Sequence, residues 1–199
     1  MSAEHHVIYI PGLNDQRRGY ERLIRRWSTY GVTPHVHRVG WLDQESFRPK
    51  LERLVDQVDQ YLDEGQAVSL VGASAGGSAA LNALIERPKI TAVVNLFGRL
   101  RKGENVRPSL DFAARKSPAF KESVLLFESR EPEMDDNSRR KVLCLTPLID
   151  EAVPRSTVSL NGATNRTLYT VEHSLSGLLA ITFFSSVAIN FVKQQVRQG

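Results

Sequence analysis

The chain has 199 residues, of which 41% are hydrophobic and 24% charged, and its formal net charge is +4 at pH 7. These values are typical of one soluble globular domain with a single core, which we take to span 1–199. The lysines and arginines are spread along the sequence with no basic run interleaved with aromatic residues, so nucleic-acid binding is not indicated.

The N-terminal half of the chain alternates short apolar runs with helical patterns. The predicted elements are, in chain order, a strand at 7–10, a helix at 20–30, a strand at 34–39, a helix at 51–62, a strand at 67–71 and a helix at 76–86. Pro11 and Gly12 end the first strand, and Gly31 ends the first helix, as these residue types commonly do.

The C-terminal half continues the alternation after a polar interruption. We predict a strand at 90–96, one or two helices around 109–116 and 119–129, strands at 141–146 and 167–171, and a C-terminal helix. The segment 98–137 is mixed and polar, and it is interpreted as a small movable lid within the same domain.

Three features bear on the cellular compartment. The stretch 175–192 carries no charged residue, but its serine, threonine and asparagine residues favour a helix buried against the sheet over a membrane span. The N-terminus enters the first strand without a basic or long apolar region, so we expect no signal peptide and a cytoplasmic location. The one cysteine, Cys144, lies in an apolar run, which indicates a buried, inert thiol and excludes an intrachain disulfide.

Repeated strand–helix alternation predicts the fold class. It implies a three-layer α/β/α sandwich around a mostly parallel sheet of about six strands. Sheets of this kind bind ligands at the carboxyl ends of their strands. The residues that directly follow each strand are therefore the candidates for a functional site.

The third predicted strand runs into a candidate nucleophile. Gly72-Ala73-Ser74-Ala75-Gly76 is a G-x-S-x-G pattern placed between a strand and a helix. The small neighbours allow a sharp turn that exposes the Ser74 hydroxyl, and the turn directs the Ala75 N–H and the helix dipole at the reaction centre. The alternative is a glycine-rich turn that packs closely or binds a phosphate. A P-loop is not indicated, because no lysine follows the glycines.

A serine nucleophile needs a base, and histidine is the first candidate for that role. His173 directly follows the last predicted strand, at the same sheet edge as Ser74, so it is predicted to be the general base. Its alternative role is to cap the helix that follows. The other histidines precede the first strand or lie within the second, and catalysis is less favoured there: His5, His6, His35 and His37.

A carboxylate should fix the histidine tautomer and stabilise the imidazolium. Asp150 follows the fifth predicted strand, again at the carboxyl edge of the sheet, and is predicted to fill this role. Glu151 is its nearest rival, and a surface carboxylate is the plainer interpretation of either. More remote candidates are Asp111, Asp135 and Asp136.

At these positions the sequence resembles the α/β-hydrolase superfamily. The resemblance depends on the 72–76 motif, on Asp150 with Val153-Pro154 behind it, and on His173, in the superfamily's chain order. The opening Ile10-Pro11-Gly12-Leu13 is similar to the superfamily's oxyanion loop. The chain departs from the superfamily in being too short for its first two antiparallel strands and in having no evident large cap insertion, so a minimal fold is expected. The resemblance implies an oxyanion hole formed by the backbone N–H groups of Leu13 and Ala75. It is closest to the compact branch of small serine hydrolases and esterases.

The expected activity is hydrolysis of a carboxylic ester or thioester of a small-molecule acyl substrate, through an acyl-enzyme on Ser74. No cofactor and no metal are expected. The alternatives are a non-catalytic binding protein with the same fold and an acyltransferase. The substrate-binding candidates follow the first, second and fourth strands: Asn14, Asp15, Gln16, Trp41 and Phe97. Three basic residues could attract an anionic substrate, although a solvated basic loop is the plainer interpretation: Arg99, Arg101 and Lys102.

Overall fold

Six parallel strands form the centre of the fold in the computed structural model, which describes residues 4–197 apart from the side chain of Ser174. The strands are β1 His5–Ile10, β2 Thr33–Val36, β3 Ala67–Ala73, β4 Ala92–Leu96, β5 Val142–Ile149 and β6 Thr164–Val171. Their order in the sheet is β2-β1-β3-β4-β5-β6. The order reverses between β1 and β3, which is the position where open α/β sheets commonly bind their ligands.

Eight α-helices accompany the strands in the described part of the chain. They are α1 Tyr20–Ile24, α2 Phe47–Asp63, α3 Ala75–Glu86, α4 Leu110–Ala113, α5 Pro118–Arg130, α6 Asp136–Arg140, α7 His173–Ile181 and α8 Ser185–Val196. Short 3-10 helices cover Arg25–Tyr30, Glu131–Glu133 and Arg155–Thr157. The predicted helix at 20–30 therefore forms as an α-helical turn that tightens into a 3-10 helix and ends at Gly31, which has a positive φ.

Each strand buries alternate side chains on opposite faces of the sheet, as the period of two requires. Ile8 and Ile10 of β1 enter a core with apolar residues of α2, α3 and α5. Val7 and Tyr9 of the same strand enter a second core with apolar residues of α1, α7 and α8. The predicted three-layer α/β/α architecture is confirmed.

The strand registers bring together the loops that carry the site residues. Ile10 pairs with Gly72, so the loops after β1 and β3 begin side by side. Ile149 pairs with Val171, although the register of β5 and β6 is irregular just before this pair. The residues after β5 and β6 therefore also start next to each other.

Part of the segment 98–137, which was interpreted as a lid, packs into the core, and lid motion of the rest stays a prediction. Phe120, Val124 and Phe127 of α5 are buried in the core. The Ser123 hydroxyl lies 2.7 Å from the Ser78 hydroxyl of α3, which further fixes α5 to its neighbour. Helix α5 is thus a full member of the outer layer. The loop before it, including α4, lines a cavity together with Phe120 of α5.

The predicted C-terminal helix is wrong as a single element, because it breaks between α7 and α8. The indole N–H of Trp27 donates to the Ile181 carbonyl at 3.0 Å, and the Thr182 hydroxyl donates to the Leu178 carbonyl at 2.6 Å. These bonds occupy carbonyls at the end of α7. In the region 4–197, no single helix is both long enough and apolar enough to cross a membrane. The pair Leu175–Ile181 and Ser185–Val196 has the required length and composition only when the two helices are taken together, and they are bent by 51° at their junction.

Candidate active site

The turn between β3 and α3 holds Ser74 in an unusual backbone conformation. Ser74 has φ 52° and ψ −119°, and its backbone N–H donates to the Leu96 carbonyl at 2.9 Å. Such conformations cost free energy and persist where the surrounding structure enforces them. A Cβ at Gly72 would lie 2.2 Å from the Gly76 carbonyl oxygen, so the close approach of the two motif glycines excludes any side chain at 72.

The loop after β1 packs directly against Ser74. A Cβ at Gly12 would lie 2.9 Å from the Cβ and 3.3 Å from the Oγ of Ser74. The indole N–H of Trp41 donates to the Pro11 carbonyl at 3.1 Å and thereby fixes the loop. Leu13 follows Gly12 and lines the same cavity as Ser74. That the backbone N–H groups of Leu13 and Ala75 donate to an oxyanion stays a prediction.

The structure brings together three side chains that are far apart in sequence. The Ser74 Oγ lies 2.9 Å from the His173 Nε2, and the His173 Nδ1 lies 2.9 Å from the Asp150 Oδ2. Both contacts are satisfied when the Nδ1–H donates to Asp150 and Nε2 accepts the Ser74 hydroxyl proton. The side chain of His173 is 15% exposed and that of Asp150 is 5% exposed, so little solvent competes for these bonds.

Asp150 and Glu151 take different positions around His173. The Oδ1 of Asp150 accepts the backbone N–H groups of Ala152 and Val153 at 2.9 and 2.8 Å. Burial pushes the pKa of Asp150 up, but the hydrogen bond and charge of His173 and the two N–H groups outweigh it, so the pKa lies below its usual value. Glu151 accepts the His173 backbone N–H instead and does not contact the imidazole.

A cavity of about 810 Å³ contains Ser74 and His173. Apolar side chains from several elements form much of its wall: Leu23, Phe97, Phe112, Phe120, Leu178 and Ile181. Asn14 and Phe97, two of the predicted substrate-binding residues, are also at this wall. The remaining four histidines are absent from the described lining: His5, His6, His35 and His37.

Three predicted substrate-binding residues, Asp15, Gln16 and Trp41, are absent from the described lining of this cavity, and Gln16 is exposed. The side chains of Asp15 and Trp41 are buried instead. Asp15 is 1% exposed, and its carboxylate accepts the Gly40 backbone N–H at 2.5 Å. Trp41 is fully buried and holds Pro11. Both side chains support the loops after β1 and β2 from behind, which corrects their assignment as walls of the site.

Of the three basic residues after β4, Lys102 is exposed, whereas Arg99 and Arg101 have specific partners. Arg99 is 1% exposed and donates to the carbonyls of Arg101, Lys102 and Pro108, while burial lowers the pKa of its guanidinium. The guanidinium of Arg101 pairs with Glu131 at 2.6 Å. Arg99 is therefore not solvated but lies buried in the wall of the Ser74 cavity, whereas Arg101 lies outside the described lining and is neutralised by Glu131. Both residues organise the loop that follows β4.

Sequence reasoning missed Asn95, a buried residue near the carboxyl end of β4. Its side-chain oxygen accepts the Gly98 N–H at 3.0 Å and its amide donates to the Gly98 carbonyl at 3.0 Å. These bonds fix the turn that contains Phe97, which has a positive φ of 59°. The sequence feature that could have indicated this role is that Asn95 is a single polar amide in an otherwise apolar strand next to the predicted site.

Other polar clusters offer little to a ligand. No group of three or more His, Cys, Asp or Glu side chains is arranged to hold a metal ion within the part of the chain that the structure describes. Cys144 is buried, and burial raises the pKa of its thiol to about 12, so the thiol stays protonated at neutral pH.

No protein-family model matches this chain, and no curated protein matches it with significant sequence similarity. Solved structures do resemble it. A metagenome-derived lipolytic enzyme is 12% identical, with a TM-score of 0.69 over 96% of this chain and 94% of that one. An α/β hydrolase from Penicillium sp. sh18 is 13% identical, with a TM-score of 0.65 over 98% and 91%. A monoacylglycerol lipase from Paleococcus ferrophilus is 16% identical, with a TM-score of 0.61 over 94% of each chain. At these identities the similarity establishes the fold.

Proposed function

We propose that this chain, which has the α/β-hydrolase fold, is a serine hydrolase that cleaves a carboxylic ester or thioester through an acyl-enzyme on Ser74. The observation that carries the proposal is the continuous hydrogen-bonded chain from the Ser74 Oγ through the His173 imidazole to the Asp150 carboxylate, with both contacts at 2.9 Å. A base within hydrogen-bond reach of a hydroxyl, itself oriented by a third group, is the geometry that activates serine.

Acylation follows from this geometry. The Ser74 oxygen attacks the carbonyl carbon of the substrate while Nε2 of His173 takes the hydroxyl proton. The negative charge that forms on the carbonyl oxygen is stabilised by the N–H groups of Leu13 and Ala75, and Asp150 stabilises the imidazolium. When the tetrahedral intermediate collapses, the bond to the leaving alcohol or thiol breaks, and His173 returns its proton to that group.

Deacylation repeats the sequence with water as nucleophile. His173 takes a proton from the water, the resulting oxygen attacks the acyl carbon, and the Ser74–acyl bond breaks. His173 then gives the proton back to the Ser74 oxygen. The products are a carboxylic acid and the free alcohol or thiol.

Two observations favour an acyl ester over other substrates. The cavity wall is largely apolar, which suits the hydrocarbon part of an acyl group. The fold neighbours include a lipolytic enzyme and a monoacylglycerol lipase, both of which act on esters.

A fluorophosphonate probe tests the proposal directly. The wild-type protein should be labelled at Ser74 with one-to-one stoichiometry, and the Ser74→Ala variant should not be labelled. Short-chain p-nitrophenyl esters should be hydrolysed by the wild type alone. Faster product formation with an added acceptor alcohol would identify an acyltransferase. A folded protein that is neither labelled nor active would be a binding protein, and the proposal would fail.

A further inference from the structure

The cavity around Ser74 carries an unbalanced positive charge. Five cationic side chains line it, against the single carboxylate of Glu151 among the described lining residues: Arg17, Arg18, Arg99, Arg115 and Lys116. The whole chain, in contrast, has 26 lysines and arginines for 22 acidic residues. The excess of positive charge is therefore concentrated at this cavity.

None of these five cations pairs with a carboxylate in the part of the chain that the structure describes, and four of them are also exposed. Many cations elsewhere are paired, for example Arg87 with Asp59 at 2.7 Å. Four lining cations are exposed and lie in no ion pair within 4.0 Å among the described residues: Arg17, Arg18, Arg115 and Lys116. Arg115 donates to the Phe112 carbonyl at 3.0 Å and lies 4.2 Å from the centre of the Phe112 ring, contacts that leave its charge unneutralised. Like charges gathered at one cavity repel each other, and an anionic ligand relieves that repulsion.

Arg99 adds a buried positive charge to the same wall. It is 1% exposed, and its guanidinium donates to the backbone carbonyls of Arg101, Lys102 and Pro108 in the loop after β4, which carry no formal charge. Carbonyl dipoles solvate a guanidinium but do not cancel its charge. Because a buried charge is screened less than an exposed one, Arg99 strengthens the positive potential of the cavity.

The one acidic lining residue does not offset this group. Both carboxylate oxygens of Glu151 lie 3.1 Å from the His173 backbone nitrogen at the first residue of α7. The carboxylate of Glu151 is thus held by backbone on the His173 side of the site, with no ion pair to any of the five cations.

We propose that the acyl substrate of this site carries an anionic group, a carboxylate or a phosphate, that binds at Arg17, Arg18, Arg115 and Lys116 while its carbonyl lies at Ser74. This inference rests on the proposed hydrolase function and adds the substrate class. The apolar wall accommodates the hydrocarbon between the two groups. Arg17 and Arg18 follow Leu13 in the loop after β1, and Arg115 and Lys116 follow α4, so two separate segments supply the positive charge.

Two matched esters test the inference. One is the mono-4-nitrophenyl ester of adipic acid, which has a free carboxylate; the other is the same ester with that carboxylate methylated. At low ionic strength, kcat/KM should be about tenfold higher for the anionic ester, and the preference should shrink as salt screens the charges. Equal rates for the two esters, with both hydrolysed at Ser74, would overturn the inference and leave the hydrolase function intact.

Charge-removing variants locate the effect. The preference should fall several-fold in Arg17→Gln/Arg18→Gln and in Arg115→Gln/Lys116→Gln. The matched control is Lys89→Gln/Arg140→Gln, which also removes two exposed positive charges but at the opposite edge of the sheet, before β4 and β5. The control should keep the full preference. An equal loss in the control would show that only net charge matters, and the inference would be wrong. The 4-nitrophenyl carboxylic ester of an acyl chain that ends in a phosphate instead of a carboxylate distinguishes phosphate from carboxylate recognition.

Binding to the inactive Ser74→Ala variant separates the two proposals. Calorimetric titration of this variant should give about tenfold tighter binding of the anionic ester than of the methylated one. Selective binding together with a wild type that hydrolyses neither ester would refute the hydrolase function and keep the anion site. Equal binding of both esters would refute the anion site. If the four cations bind vesicles of anionic phospholipid instead, with no preference between the soluble esters, they serve a membrane surface and the inference also fails.

Discussion

Both carboxylate oxygens of Glu151 lie 3.1 Å from the backbone nitrogen of His173, while the preceding residue, Asp150, contacts the imidazole of that histidine. Two adjacent acidic residues thus act on one histidine in different ways. Glu151 fixes the first residue of α7, and Asp150 orients the ring. Because the two carboxylates are adjacent in sequence, either could have been the one that orients His173. Their hydrogen bonds show that they contact different parts of that histidine.

This difference predicts unequal effects of neutral substitutions. Asp150→Asn should lower kcat by about 10⁴-fold, because the amide no longer stabilises the imidazolium and favours the wrong tautomer. Glu151→Gln keeps an acceptor for the His173 N–H, so its effect should stay within about tenfold. Steady-state kinetics on a p-nitrophenyl ester measures both. A loss in Glu151→Gln as large as that in Asp150→Asn would contradict the assignment.

The contact between Gly12 and Ser74 predicts that Gly12→Ala inactivates the protein. The new methyl group would lie 2.9 Å from the Ser74 Cβ, so the loop after β1 must move and the Leu13 N–H with it. We expect kcat to fall by at least about 10²-fold. Circular dichroism should show a folded chain. Full activity in a folded Gly12→Ala protein would argue against an oxyanion role for this loop.

We expect removal of the Asn95 side chain to destabilise the protein, because this side chain holds the turn after β4. Asn95→Ala leaves the buried N–H and carbonyl of Gly98 without their partner, which should reduce the free energy of unfolding by about 2–4 kcal/mol. Urea denaturation measures this change. Asn161→Ala is the matched control, because Asn161 is exposed and should change the value by no more than about 0.5 kcal/mol.

Because His5 is buried and neutral, we expect the free energy of unfolding to fall in mild acid. The His5 Nε2 lies 2.9 Å from the Ser69 Oγ, and burial lowers the pKa of His5 to about 4. Between pH 4 and 6.5 the unfolded chain binds a proton at His5 that the folded chain does not, so stability is complete above pH 6.5 and falls as the pH drops toward 4. The pKa values of His35 and His37 are lowered in the same direction, mainly by burial.

The His5 contribution is measurable by substitution. Discounted for residual solvent contact, it should amount to about 1–2 kcal/mol between pH 7 and pH 4. His5→Gln can still bond Ser69 but does not titrate in this range, so urea denaturation should show a shallower loss of stability with falling pH. An unchanged pH dependence would mean that other groups cause the acid sensitivity.

Much of the architecture could be predicted because it depends on local patterns. Alternating strands and helices imply a parallel sheet, and parallel strands end at one edge. This places Ser74, Asp150 and His173 at one edge of the sheet, and the structure brings their side chains together. Helix α5 could also be predicted from the sequence, because Phe120, Val124 and Phe127 are spaced as on one face of a helix, and this face is buried in the core.

What could not be predicted depends on contacts between distant segments. Asp15 and Trp41 follow strands as a site residue would, yet their side chains turn toward the supporting loops. The break after α7 involves Trp27, which is 154 residues away from its partner Ile181 in sequence. No local pattern contains that information.

The bond between Trp27 and Ile181 also affects the residue at the other end of α7. His173 begins this helix, where Glu151 holds its backbone, and Trp27 anchors the final turn. A helix restrained at both termini presents its first side chain in one orientation before any ligand arrives. For the proposed chemistry, the entropy of aligning imidazole and hydroxyl is lost once, when the chain folds, and not again in each turnover.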